Sequence, residues 1–285
     1  MMLDDAVVGR FTIRTMVRHD LDHAFKLSVE EGWNIGVFDH ETFYRTDPQG
    51  FFIGEWEGRP VGSVSAVAYG PGFGFMGIYI LAPEFRNRGF GIQLFREGLS
   101  HLGDRNIGLD SVTEQQSNYE KSGFKAAYRN VRYAGIGGGT MPEGLVELSE
   151  LTFQEVADFD RRHFPAPRVE FLSGFLQQPQ SVTLCFVKAG KLVGYGMIRR
   201  FVRGWSIAPL FADNPEIAET LLAGLSATQP GEPIFLDVPE VNAEAIALAK
   251  RFGMNPAFET VRMYTQAAPL LPLGCIYGVT SFELG

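Results

Sequence analysis

Hydrophobic and polar positions along the chain follow two rhythms, a period of 2 and a period near 3.6, and their order is the same in both halves. Residues 11–17 alternate as a strand, 20–31 keep helical spacing, and 41–46 add a shorter helical stretch. Two strand-like runs, 50–57 and 60–69, meet at the turn Glu57-Gly58-Arg59. A third, 75–82, leads towards an amphipathic helix over 92–102, a strand at 107–112, a short helix at 115–122 and a strand at 124–133. The pattern then starts again. A strand at 145–148 precedes a helix over 152–163, capped by Thr152 with Glu155 three residues on, and a short helix at 169–177. A hairpin of 182–188 and 192–201 turns at Ala189-Gly190-Lys191. Strand 205–211, helix 215–226, strand 234–238, helix 243–252 and strand 258–266 follow, and an additional strand spans 275–284. The repetition predicts a tandem duplication of one α+β unit.

The boundary is the stretch from Gly135 to Gly144, where glycines and Pro142 crowd together. The expected organisation is a first domain at 1–136, a Gly-rich linker at 137–144 and a second domain at 145–285. A chain of 285 residues with 45% hydrophobic content has material for two packed cores, and its 24 phenylalanines are spread over both halves. Phe164, Phe171, Phe175 and Phe201, with the strand at 275–284, are expected to build the interface between them.

The net charge of −8 argues against nucleic acid or an anionic membrane as partner and is compatible with a cationic amine. Two cysteines, Cys185 and Cys275, are too few for a disulfide framework, which points to a reducing, cytoplasmic setting. No apolar run reaches the ~18 residues of a membrane span, and the first residues lack the basic and apolar pattern of a leader. The five histidines form no ligand spacing with the cysteines, so no metal is expected.

The chemistry centres on Arg86-Asn87-Arg88-Gly89-Phe90-Gly91, between an apolar strand and a helix. Gly89 and Gly91 have no Cβ, so backbone N–H groups can approach a large anion closely. A helix's first turn adds unpaired N–H donors and the positive end of its dipole. Arg86 and Arg88 offer charge-assisted contacts to phosphate oxygens. Neither the dinucleotide fingerprint nor the P-loop spacing is present.

These residues resemble the GCN5-related N-acetyltransferases (GNAT), whose hallmark [R/Q]-x-x-G-x-[G/A] the loop fits position by position. Tyr79-Ile80-Leu81-Ala82-Pro83-Glu84-Phe85 before it, and the Tyr-x-x-x-Gly-Phe pattern of Tyr119 through Phe124 after it, are also similar to the family. The resemblance implies two tandem GNAT-like domains, each a mixed, mostly antiparallel sheet flanked by helices. It implies acetyl-CoA as co-substrate, with the backbone of Tyr79, Ile80 and Leu81 pairing with the pantetheine arm. Asn87, Arg88, Gly89, Phe90, Gly91 and Ile92 then hold the pyrophosphate. Tyr119 stands where the family's proton donor to the thiolate stands, and Trp33 and Asn34 lie where acceptor-binding residues lie. Val112 departs from the Asn often found seven residues before that tyrosine.

Acetyl transfer to an amine also needs a base, because an amine of pKa about 10.4 is only about 0.04% neutral at pH 7. Glu30, Glu31, Asp110 and Glu114 are candidates by location. The acceptor is either a small-molecule amine or a protein amino group, and the chain is read as monomer or homodimer. In the second half the loop equivalent reads Ala212-Asp213-Asn214-Pro215-Glu216-Ile217, without glycine and with two carboxylates that would repel a pyrophosphate; Ala249 replaces the tyrosine. That half is expected to be a degenerate copy that either shapes the acceptor pocket or holds the first half in its active geometry. An acyl-CoA sensor without turnover, and a transferase using a longer acyl-CoA, are the alternatives.

Overall fold

A computed structural model describes residues 10–285; the expectation about a leader falls on residues outside that range. In the first half β1 (Phe11–Thr15), α1 (Asp20–Glu30), α2 (Asp39–Thr46), β2 (Phe51–Trp56), β3 (Arg59–Tyr69) and β4 (Phe73–Leu81) appear in the predicted order. Then come α3 (Phe90–Leu102), β5 (Asn106–Val112), α4 (Gln116–Lys121) and β6 (Lys125–Ile136). The second half has β7 (Leu145–Glu147), α5 (Phe153–Asp160), α6 (Val169–Phe175), β8 (Ser181–Lys188), β9 (Lys191–Arg200), β10 (Trp205–Ala212), α7 (Pro215–Ala227), β11 (Pro233–Pro239), α8 (Ala243–Arg251), β12 (Asn255–Tyr264) and β13 (Ile276–Gly278).

All strands belong to one sheet, ordered β1-β2-β3-β4-β5-β12-β6-β11-β10-β9-β8-β7, with β13 against β10. Pairing is antiparallel except for β4–β5 and β10–β11. The order records an exchange of strands. β12, from the second half, completes the first half's sheet beside β5, while β6, from the first, pairs with β11. Reciprocal ion pairs lock the exchange. Arg262 on β12 grips Asp110 on β5 through two bonds of 3.0 and 2.7 Å, and Arg132 on β6 grips Asp237 on β11 at 2.7 and 2.8 Å. Both pairs are buried, where a lone charge would be costly, so each strand is held to the partner that carries its counterion.

Phe95, Phe124 and Val261 pack with α3 and α4 on one face of the first half's sheet. The opposite face is a core that crosses the two halves. There Phe43, Phe73 and Phe75 meet Phe164, Phe171 and Phe175, with ring centroids 6.3 Å apart for Phe43–Phe171 and 5.5 Å for Phe73–Phe164. The strand expected at 275–284 is only three residues long. Its continuation turns because the Ser281 hydroxyl accepts the backbone N–H groups of Glu283 and Leu284, and it then runs into the first half. There the Leu284 carbonyl accepts from the Tyr69 hydroxyl at 3.1 Å.

Candidate active site

β4 and β5 pair only from Phe73↔Asn106 to Met76↔Leu109. Beyond Met76 they diverge, because β4 carries a bulge. Ile78 and Tyr79 together stand opposite Val64, and Ile78 has a φ of 43°, rare for a β-branched residue. The Ser63 hydroxyl steadies the bulge by donating to the Ile78 carbonyl at 2.9 Å. The result is a wedge whose β4 edge, Gly77 through Leu81, has no ladder partner on β5. An extended polar arm entering there finds a free strand edge.

The wedge opens at the helix α3. Gly89 is its N-cap with φ 79°, and no side chain caps the first turn. Asn87 is also left-handed, at φ 61°. The N–H groups of the first turn are therefore offered outward at the positive end of a 13-residue helix. A Cβ at Gly91 would lie 2.5 Å from the Tyr79 hydroxyl, so glycine lets the β4 side chain pack against the helix start. Arg86 is otherwise engaged: its Nε donates to the Leu81 carbonyl at 2.8 Å and its Nη2 pairs with Glu31 at 2.7 Å. That ties the loop to the end of α1. Arg88 lies over the Phe85 ring at 5.4 Å.

Tyr119, on α4, packs with Phe95 and Phe124 at ring distances of 5.6 and 6.2 Å, and Phe95 in turn contacts Tyr79. Burial pushes the Tyr119 hydroxyl well above the usual tyrosine range, with Tyr79 adding to it. It keeps its proton at neutral pH, which suits a donor and not a base.

The loop with Trp33 and Asn34 is stitched to the second half. Asn34 and Arg203 exchange two bonds, of 3.0 and 2.8 Å, and Arg203 also donates to the Gly32 carbonyl. Gly36 bridges Phe201, and Arg132 donates to the Asn34 carbonyl at 3.1 Å. Trp33 is half-buried in the same loop. Of the carboxylates considered as base, Glu31 is paired with Arg86, Glu30 lies 3.8 Å from Lys26, and Glu114 is exposed. Asp110 is surrounded by Arg262, Asn130 and Thr260; burial pushes it up and Arg262 pulls against that.

The second half has a wedge too, between β10 and β11 beyond Ile207↔Leu236. It is filled by the chain itself. β13 pairs with β10 at Leu210↔Gly278 and Phe211↔Ile276, and the Val279 N–H reaches the Asp237 carbonyl on β11. Asn242, at the start of α8, donates towards the carbonyls of Leu273, Gly274 and Ile276. The helix start is sealed as well: Asn214 caps α7 by accepting the Ile217 N–H at 3.0 Å, Pro215 removes a donor, and Asp213 pairs with Arg162. Nothing in the sequence pattern marked 276–279 as a segment that fills a wedge.

A model of the acetyltransferase (GNAT) family matches residues 16–124, and a model of a GNAT acetyltransferase domain matches 156–278. The chain is similar to holothin acyltransferase of Pseudoalteromonas sp. (strain SANK 73390), 30% identical over 261 residues, covering 90% of this chain and 89% of that one. Among solved structures it resembles a protein of Pyrococcus horikoshii, with TM-score 0.84 and 22% identity over 100% of this chain and 99% of that one. A tandem GNAT protein of the clavulanic acid biosynthesis pathway shares the fold at TM-score 0.63 and 12% identity, over 91% and 100% of the two chains.

Proposed function

This chain belongs to the GNAT acyltransferase family with two GNAT units in tandem, and from that premise we propose that its first unit transfers acetyl from acetyl-CoA to a primary amine. The catalytic unit is 1–136, completed by β12; the second, 145–285, binds no coenzyme and braces the acceptor loop. The observation that carries this reading is the contrast between the open β4/β5 wedge under an uncapped α3 and the filled β10/β11 wedge under a capped α7.

In this reading the β4 edge from Tyr79 to Leu81 pairs with the pantetheine arm, and the loop from Asn87 to Ile92 receives the pyrophosphate on backbone donors. Arg86 positions the loop through Leu81 and Glu31, and the loop's backbone donors rather than the Arg86 guanidinium serve the coenzyme. An N–H of the bulged strand faces the developing oxyanion. The amine, entering past Trp33 and Asn34, attacks directly, and Tyr119 gives its proton to the departing thiolate. The similarity to holothin acyltransferase of Pseudoalteromonas leaves the acyl group open and makes holothin one acceptor to test.

Thermal-shift titration with acetyl-CoA and longer acyl-CoAs, followed by thiol release across an amine panel that includes holothin, tests this. Saturable stabilisation with amine-dependent thiol release is the expected outcome. Stabilisation without thiol release from any amine would leave a sensor, and no stabilisation would sink the assignment.

A further inference from the structure

The segment after β13 does more than close the second half's wedge. It passes directly over the bulged β4 strand of the first: a methyl group at Gly77 would collide with the Glu283 backbone carbonyl. Gly77 is the residue before the bulge, at the point where β4 and β5 part. Glu283 therefore sits on the face of the sheet opposite α3 and α4, and Arg132, which faces it, donates to the Asn34 carbonyl at 3.1 Å. Tyr119 packs on the other face, with Phe95 and Phe124.

The charged groups facing Glu283 are Asp39 on α2, Arg132 on β6 and Arg199 on β9. Both cations already have partners. Arg199 donates to both Asp39 carboxylate oxygens at 3.0 and 3.1 Å, and Arg132 to both of Asp237. Among the described residues, the Glu283 side chain has neither a salt bridge nor a hydrogen bond from another residue. It is a half-buried carboxylate left over in a compartment whose other charges are matched. The adjoining Phe282 ring lies 5.0 Å from the Arg132 guanidinium and 6.3 Å from Phe258, which is exposed at 45%.

We propose that Glu283, supplied by the second half, is the proton acceptor for the attacking amine at the first half's site. This rests on the transferase reading above and adds to it the residue that none of the four sequence candidates provides. As the amine nitrogen forms its bond to the acyl carbon, its surplus proton passes to the Glu283 carboxylate, directly or through one water. The carbon–sulfur bond breaks and the thiolate takes the Tyr119 proton; solvent exchange then returns a proton to Tyr119 and removes one from Glu283. Burial first, and Asp39 second, push the Glu283 carboxyl up to about 7, with Arg132 and Arg199 opposing. A base poised there is partly ionised near neutrality, increasingly so above it, and still a strong enough acceptor to work. The second copy is thus retained as part of the site, since it carries this base.

The test is Glu283→Gln in the full chain, with Glu283→Asp beside it. The substrate is a weakly basic aromatic amine that is already neutral across the pH range used, so any acid limb belongs to the protein. Wild type should show thiol release rising through pH ~7 with deprotonation of Glu283. Glu283→Gln should lose about 10²- to 10³-fold in kcat and lose that limb, while acetyl-CoA stabilises it as it does wild type. Glu283→Asp should recover part of the rate with a displaced limb. If Glu283→Gln keeps both the rate and the limb, Glu283 is not the base. That result leaves the transferase reading intact, because wild-type turnover in the same assay establishes it separately. A variant that no longer binds acetyl-CoA would instead mark Glu283 as structural and overturn its assignment.

Discussion

Two wedges of the same origin lie in one sheet, and they have met opposite fates. Between β4 and β5 the strands part under a helix whose first turn is bare and whose glycines admit a close approach. Between β10 and β11 they part in the same way, but β13 has entered the gap, and Asn214 has taken up a donor of the helix above it. The fold therefore produces the strand divergence by itself. What decides whether a ligand can use it is a few local residues: glycine against Asn-Pro at the helix start, and whether a peptide satisfies the free strand edges. The filled wedge is informative about the open one. In the second half a short extended chain satisfies the wedge's edges, and the protein provides that chain from its own sequence.

The comparison breaks most severely if the open wedge is blocked and binding persists. Gly91→Val places a branched side chain against the Tyr79 hydroxyl at the start of α3. Overpacking of about 1–3 kcal/mol, with backbone donors pushed back, should weaken acetyl-CoA binding by about 100-fold. Calorimetric titration measures this, and an unchanged affinity would mean the coenzyme binds elsewhere. The second effect is on rate. Tyr119→Phe keeps the ring packing with Phe95 and Phe124 and removes only the protonated hydroxyl, so kcat should fall by about 10²-fold with acetyl-CoA affinity unchanged. Equal rates for the two proteins would reduce Tyr119 to a packing residue.

On the other side of the comparison, Asn214→Ala should cost about 1 kcal/mol of stability as α7 loses its cap, read by chemical denaturation. Acetyl-CoA stoichiometry should remain one per chain, since β13 still fills the β10/β11 wedge. A second equivalent bound would show that the cap, and not the inserted strand, was what excluded the coenzyme.

Much of this was legible in the chain. Alternation and helical spacing gave the elements in order, and the glycines of residues 86–91 stand where α3 starts uncapped beside the β4/β5 wedge, a local feature that local spacing can carry. At 212–217 the chain shows the missing glycines and two carboxylates, while the Asn214 cap and the pairing of Asp213 with Arg162 appear only in the fold. The strand exchange was not legible: β6 and β12 each offer an alternating face and a buried arginine, and either would read equally well beside β5 or β11. Only the three-dimensional match of Arg262 to Asp110 and of Arg132 to Asp237 fixes the choice. Glu283 was hidden for a related reason. One carboxylate in Ser281-Phe282-Glu283-Leu284 carries no periodicity, and its meaning comes from Gly77, some two hundred residues earlier in the chain.

The smallest expected effect is the one that most sharpens what a half means here. Gly137 and Gly138 are held by backbone bonds to the Glu232 and Ser226 carbonyls, so a protease should cut further on, within 139–144. In two units that merely follow one another, such a cut would free a first half able to act alone. In this sheet β6 leaves with one fragment while its partners leave with the other, and β12 does the reverse. Separation would break the β5–β12 and β6–β11 ladders and strand four buried charges without their counterions, each broken pair costing about 3–5 kcal/mol. The nicked protein should therefore elute as one species under native conditions, retain acetyl-CoA binding, and come apart only in denaturant. Fragments that separate in native buffer would show that the two halves are independent, and with them would go the reason for the second half to supply residues to the first.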